Sequence, residues 1–311
     1  MKYLILPLLL FSCFAGHSQT AAEWVKKGDL LLTEKKLPDA LNAYNSAWKK
    51  DSTLYEIYTG RGSVYAEMKE FEKSFLDFTR ATELKPDSAL AYHYRANLML
   101  SLLYSDESII DNTRAIERAT NDKMLFGSFL NRGTAKQQKR DFQGAYEDFM
   151  RCYTYDTLNI AVINNIGIVL DELGRRDESI LYLQKAIRID SSFMGPYVNI
   201  GFQYTLMGKY KESLPYFDKA LQLEKDEPVT LNNRGFARYK LNDLEGAMED
   251  ISKSIEGYPA NSYAFKNRAL VYLAMNKGTE ACNDLKRAKE LQFEKQYGPE
   301  VNELLKKHCG N

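Results

Sequence analysis

Small residues recur along this chain at a fixed interval, and that interval constrains its fold more than any other feature. Gly28, Gly62, Ala96, Gly133, Gly167, Gly201, Gly235 and Ala269 follow one another at 34 residues, with a single step of 37 between Ala96 and Gly133. Twelve residues after each stands a second small residue, from Ala40 and Ser74 to Ala281, and seven beyond that a third, from Ala47 and Ala81 to Ala288. Large apolar residues keep the same register. Trp24, Tyr58, Tyr92, Phe129, Ile163, Tyr197, Leu231 and Phe265 precede the first column by four, and Tyr44, Phe78, Phe149, Leu183, Phe217, Ile251 and Leu285 follow it by sixteen. Large against small at helical spacing lets two helices approach and interlock. A period of this length describes a helical pair that cannot bury its apolar face alone and stacks on its copies.

A second regularity is electrostatic. Arg61, Arg95, Arg132, Arg234 and Arg268 each precede the first column by one, and sixteen residues beyond each lies Asp77, Asp111, Asp148, Asp250 or Asp284. The three remaining copies have Lys27, Ile166 and Ile200 in the arginine slot and Ala43, Tyr182 and Tyr216 in the aspartate slot, so the two columns switch together. Five copies point to architecture, since a catalytic constellation needs one unusual copy.

These columns resemble the tetratricopeptide repeat family, with Pro86 and Pro259 at its closing proline. The resemblance implies an all-α, right-handed α-solenoid of tandem helix-turn-helix repeats. Eight repeats are expected at 21–54, 55–88, 89–122, 126–159, 160–193, 194–227, 228–261 and 262 to about 295, the first three and the last five forming two blocks either side of the inserted Lys123, Met124 and Leu125. The third repeat is the weakest match, and a bend is expected after it. Pro215 falls inside a second helix, where it removes one hydrogen bond. Residues 296–311 read as a cap, one amphipathic helix from Gly298 to His308 with Val301, Leu304 and Leu305 as its apolar stripe. In this family the arginine column faces the second helix of its own repeat, which makes each Arg–Asp pair a bidentate bridge between two helices.

The first helices of such a solenoid line its concave face. Asn131, Asn165, Asn199, Asn233 and Asn267 recur there, and in some family members asparagines at this slot hold an extended peptide by its backbone. A carboxamide donates and accepts at once, which matches a peptide unit whatever its side chain. Phe202, Phe236 and Tyr239 lie between the rungs as apolar pockets. The competing reading of the column is ordinary repeat packing. The lysine and arginine clamp that some relatives close on a partner's terminal carboxylate has no counterpart at matching positions. A protein or peptide partner is therefore expected, bound in the groove without turnover. The alternative is a lipid-anchored structural adaptor of an envelope assembly that uses its convex face or ends.

Other function classes find little support. With 42 Lys+Arg against 42 Asp+Glu and no basic run, the chain lacks the cationic face that nucleic acid or an acidic membrane requires. No phosphate loop, paired-cysteine metal motif or nucleophile elbow occurs, and of three histidines His93 stands alone in repeat three. No enzyme activity and no cofactor are expected.

The N-terminus reads as an export signal over 1–20: Lys2, then an apolar stretch from Tyr3 to Phe14, too short to span a bilayer, then small residues with cleavage near Ser18 and Gln19. Leu10, Phe11, Ser12 and Cys13 offer a second reading as a lipoprotein box with Cys13 acylated. A periplasmic or secreted location follows, with no membrane-spanning segment in the mature chain. In an oxidising compartment Cys282 and Cys309 are candidates for a disulfide, against two free thiols, because Cys152 fills a small packing column and Cys13 is removed or acylated. The pair also resembles terminal cysteines of some exported repeat proteins.

Overall fold

The computed structural model describes residues 19–310, so all but the last two residues of the expected export signal, with Cys13 and His17, lie outside the described residues. Among the described residues there are 18 helices and no strand. The chain divides into two compact units, residues 1–135 and 136–311. The first holds α1 (Ala21–Thr33), α2 (Leu37–Lys50), α3 (Tyr55–Glu67), α4 (Phe71–Leu84), α5 (Ala89–Ser101) and α6 (Ser105–Arg118). The division falls inside α7 (Asp122–Gln138), which the helical Lys123, Met124 and Leu125 help to lengthen to 17 residues. The second unit continues with α8 (Phe142–Tyr155), α9 (Ile160–Glu172), α10 (Arg176–Ile189), α11 (Gly195–Leu206) and α12 (Tyr210–Leu223). It ends with α13 (Pro228–Lys240), α14 (Leu244–Gly257), α15 (Ser262–Ala274), α16 (Gly278–Glu290), α17 (Phe293–Tyr297) and α18 (Glu300–His308). The fold is an α-solenoid of helical hairpins. From α1 to α6 and from α8 to α16 odd helices pair with the even helix that follows, even helices pack on the next odd helix, and successive odd helices touch, giving each unit a face of first helices.

The hairpin turn is the same eight times. One residue in each turn takes a positive φ, at Lys35, Lys69, Leu103, Arg140, Gly174, Gly208, Asn242 and Asn276. The next residue's N–H then reaches back five positions, as Lys36 N to Leu31 O at 2.9 Å or Arg175 N to Leu170 O at 2.8 Å, which satisfies carbonyls at the helix end. Several second turns are closed by side-chain caps, among them Ser88, Asn159 and Asn261. Helix α12 runs on through Pro215.

Packing within a hairpin explains the small column. A Cβ placed on Gly62, Gly201 or Gly235 would lie 2.7 Å from the Phe78 ring, 2.7 Å from the Phe217 ring and 2.6 Å from Ile251, separations that real Cβ atoms do not adopt. Two serines of the second small column add a polar tie, for Ser74 Oγ donates to Gly62 O at 2.8 Å and Ser179 Oγ to Gly167 O.

The charged columns meet as bidentate grips wherever both partners lie in one unit. Arg61 reaches Asp77 at 2.7 and 2.8 Å, Arg95 reaches Asp111 at 2.6 and 2.9 Å, Arg234 reaches Asp250 at 2.8 and 2.7 Å, and Arg268 reaches Asp284 at 2.7 and 2.9 Å. All four carboxylates are buried. The remaining guanidinium nitrogen ties neighbouring hairpins: Arg61 donates to Asn45 at 3.0 Å, Arg95 to Thr79 at 3.3 Å, Arg132 to Thr113 at 3.1 Å and Arg234 to Asp218 at 2.7 Å. Buried Asp148 is met by Lys136 Nζ at 2.8 Å. Where isoleucine replaces arginine the side chain is fully buried, at Ile166 and Ile200, and the Tyr182 hydroxyl donates to Met150 Sδ at 3.8 Å.

The C-terminal cap differs from the single helix expected. Gln292 and Gly298, both at positive φ, set off the short α17 before Pro299 opens α18 at its N-cap. Phe293 and Val301 join Phe265, Ala269, Ala281 and Leu285 in one core, with Leu304 and Leu305 packed against it, so the cap covers the last repeat's apolar side. Cys282 and Cys309 are joined by a disulfide with their Cα atoms 5.6 Å apart, which ties α18 to α16.

A double-mutant cycle on Arg268 and Asp284, each changed to alanine, is expected to give a coupling of at least about 1 kcal/mol in urea unfolding, because either single change strands a shielded charge. Additive single costs would refute the bridge. Replacing both Cys282 and Cys309 by serine is expected to lower stability by about 3 kcal/mol on the chain-entropy model for the 27-residue separation, read as the shift in urea midpoint.

Candidate peptide-binding site

The asparagine column does not behave as five equivalent rungs. Asn131 lies in the first unit and donates to Asn97 at 3.3 Å. The other four lie in the second unit. Asn199 Nδ2 donates to Asn164 Oδ1 at 2.9 Å, and Asn267 Nδ2 donates to Asn232 Oδ1 at 3.0 Å, so each of these amides braces the preceding repeat's first helix. Asn267 is 1% exposed, which makes it a brace and removes it from any open surface. Asn165 and Asn233 are half-buried.

One pocket of about 460 Å³ gathers part of the column in the second unit. Its polar wall is Asn199, Asn232, Asn233 and Asn261; its apolar wall is Val198, Phe202, Val229, Tyr263 and Tyr297. Asn233 makes no hydrogen bond within the protein among the described residues, and Asn232 and Asn261 use only their oxygens, Asn261 as the N-cap of α15. Free amide donors and acceptors therefore face a cavity with apolar sides. No carboxylate, guanidinium, imidazole or thiol lines it. Such a wall can pair with an uncharged backbone and seat an apolar side chain.

Phe236 and Tyr239 stand elsewhere. Phe236 packs edge-on against Tyr210 at 6.4 Å and beside Tyr239 at 6.1 Å, and Tyr239 leans on the core around Ala247 and Ile251. Their aromatic character serves packing between hairpins. The pocket instead takes Tyr263 and Tyr297, which the repeat pattern does not single out. Tyr297 arrives from α17 and meets Tyr263 at 5.1 Å between ring centres, so the cap builds one wall of the pocket.

Behind that wall lies a buried cation. Lys266 is 2% exposed, with Nζ 4.4 Å from the centre of the Tyr263 ring and 3.3 Å from a Glu300 carboxylate oxygen. Burial pushes its pKa below the ordinary lysine value, a shift that Glu300 opposes. His93, half-buried in the first unit beside Ser128 at 3.2 Å, is likewise held below the usual histidine range by burial. Burial raises the Cys152 thiol to about 12, which keeps it in the thiol form. Among the described residues no group of three or more His, Cys, Asp and Glu could hold a metal ion, and no helix is long and apolar enough to cross a membrane.

Comparison with known proteins agrees with this geometry. The tetratricopeptide repeat model matches residues 55–88, 160–193 and 196–227. The chain carries tetratricopeptide repeats. A TPR repeat-containing protein of Methanocaldococcus jannaschii is 26% identical over 54% of this chain, and tetratricopeptide repeat protein 13 of Homo sapiens is 22% identical over 59%. The chain spans only 31% and 22% of those relatives' lengths. Among solved structures, the APC/C hetero-tetramer Cut9–Hcn1 aligns with a TM-score of 0.67 at 16% identity, covering 92% of this chain and 55% of that one. The PilF structure of Pseudomonas aeruginosa aligns at 0.55 and 17% identity, covering 69% and 96%. At these identities the likeness is one of fold. Tetratricopeptide repeat proteins generally mediate protein–protein interactions.

Lys266 generates a test of the electrostatics behind the pocket. Its folded pKa lies below the unfolded value near 10.4, so the unfolded chain binds the extra proton between the two, and stability rises with pH across that window. Lys266→Met is expected to leave neutral-pH stability unchanged or raised and to flatten this alkaline rise in urea titrations. A large loss at neutral pH would show that the Glu300 pair outweighs the burial cost.

Proposed function

We propose that this chain is a non-enzymatic interaction scaffold whose second unit holds an extended peptide segment of a protein partner. The observation that carries the reading is the pocket itself: the free carboxamide of Asn233 and the free Nδ2 donors of Asn232 and Asn261 opposite Phe202, Val229, Tyr263 and Tyr297, with no ionised side chain between them. Carboxamides pair with main-chain N–H and C=O groups irrespective of sequence, and the aromatic wall seats one bulky side chain of the ligand. The bracing bonds from Asn199 to Asn164 and from Asn267 to Asn232 hold the helices that carry these groups, which lowers the ordering cost of binding.

The same reading places the mature protein outside the cytoplasm. Its support is the N-terminal sequence pattern and a terminal cysteine pair of the kind that persists in oxidising compartments. Cell fractionation with intact mass measurement checks it. The expected species begins near Gln19, or carries acyl chains on Cys13, and an uncut cytoplasmic chain would refute export.

Selection from a random 12-residue peptide display library is expected to yield ligands with a bulky apolar anchor. Asn199→Ala combined with Asn233→Ala should weaken the best synthetic ligand more than tenfold with helical circular dichroism unchanged, and Tyr297→Ala should do the same. Unaltered affinity in both variants would remove this pocket from the function.

A further inference from the structure

The eight hairpin turns share one backbone conformation, and one of them places an exposed apolar side chain in it. The positive-φ position is held by glycine at Gly174 and Gly208, by asparagine at Asn242 and Asn276, and by a long cation at Lys35, Lys69 and Arg140. In the third hairpin it is Leu103, at φ 63°, with 73% of its surface exposed. A branched apolar side chain is disfavoured in the left-handed region, and one left in water gains nothing from folding. Neither the turn nor the core explains this leucine. Residues held against local preference and without a packing role cluster at functional surfaces.

Its neighbours complete a surface. Leu102 and Tyr104, on either side of it, line a groove of about 350 Å³ with Met99 at the end of α5 and Phe71 and Phe75 on the first turns of α4. Phe71, Phe75 and Tyr104 are exposed, as is Leu76 beside them. All of this lies in the first unit, around the turn between α5 and α6 and the start of α4. The groove's only charges are Glu72 and Glu107, in the first turns of α4 and α6. Neither carboxylate has an ion-pair partner among the described residues, and no lysine or arginine lines the groove. An apolar floor with an unpaired acidic rim complements one kind of occupant.

We infer that this groove is a second docking surface, for a protein segment that presents bulky apolar residues flanked by lysine or arginine. The apolar anchors enter between Phe71, Phe75 and Tyr104 and extend along the turn onto the exposed Leu103, and the cations pair with Glu72 and Glu107 at the rim. The acidic rim repels an anionic bilayer, so the face suits a basic peptide better than a lipid surface.

The variant Leu103→Asn gives a clean test, because asparagine already occupies this turn at Asn242 and Asn276 and relieves the backbone. The full chain is screened against a random 16-residue peptide display library, and enriched peptides are synthesised and titrated. Enriched sequences should combine aromatic or aliphatic residues with neighbouring lysine or arginine. Leu103→Asn should weaken them at least tenfold while the thermal midpoint stays level or rises. Glu72→Lys with Glu107→Lys should weaken them by a similar factor, whereas Asn199→Ala with Asn233→Ala should leave them unchanged, which separates this surface from the second unit's pocket. The inference is overturned if no enriched peptide depends on Leu103, or if the dependent peptides are acidic or uncharged. It is also overturned if Leu103→Asn abolishes co-sedimentation with phosphatidylcholine vesicles while no peptide is enriched, an outcome that assigns the face to a membrane.

Discussion

At Gly28, Gly62, Gly167, Gly201 and Gly235 a ring or branched side chain from the second helix occupies the space that a Cβ on the first helix would fill. Leu183 on Gly167 and Ile251 on Gly235 show the constraint, with 2.6 Å to the missing atom. Close packing of this kind fixes how two helices lie against each other, since a shift along either axis drives the large group into backbone. Everything else in the two units is arranged around hairpins set in this way: the odd helices that touch their successors, the even helices that fill between them, and the turn that must reverse the chain within a few residues.

Charge then joins what packing has shaped. The four grips from Arg61, Arg95, Arg234 and Arg268 place buried carboxylates against planar guanidinium forks, a geometry that lysine does not supply. Their contribution to net stability is modest beside the cost of breaking them, because desolvation offsets much of the attraction. Their distinctive effect is register: a fork that grips its own second helix and touches the preceding one, as Arg61 does with Asp77 and Asn45, admits one arrangement of three helices. The apolar substitutes at Ile166 and Ile200 show that the fold tolerates either solution when both columns change together.

The two surfaces proposed for binding sit where the repeat pattern is broken or incomplete. In the second unit the cap delivers Tyr297 beside Tyr263 and closes a pocket that repeats alone would leave open. In the first unit Leu103 interrupts a column of glycine, asparagine and basic residues. The regular positions hold the scaffold, and the departures from regularity are where ligands are to be sought.

Periodicity alone determined the helical hairpins, their small-on-large packing and the Arg–Asp grips, because each of these joins residues sixteen or fewer apart and is repeated often enough to be read as a column. The terminal cysteine pair was open to sequence reasoning on similar grounds, through the placement of the cap. Tertiary structure alone decided which amides are braces and which face a cavity. Asn233 and Asn267 occupy the same column, yet one lines the pocket and the other is buried with its amide bonded to Asn232. It also decided that Phe236 and Tyr239 pack between hairpins while Tyr263 and Tyr297 form a wall, since that outcome depends on a short helix after Gln292 that belongs to no repeat. A repeating pattern predicts contacts that repeat; side chains at the end of an array meet partners found once, and only the folded chain brings those together.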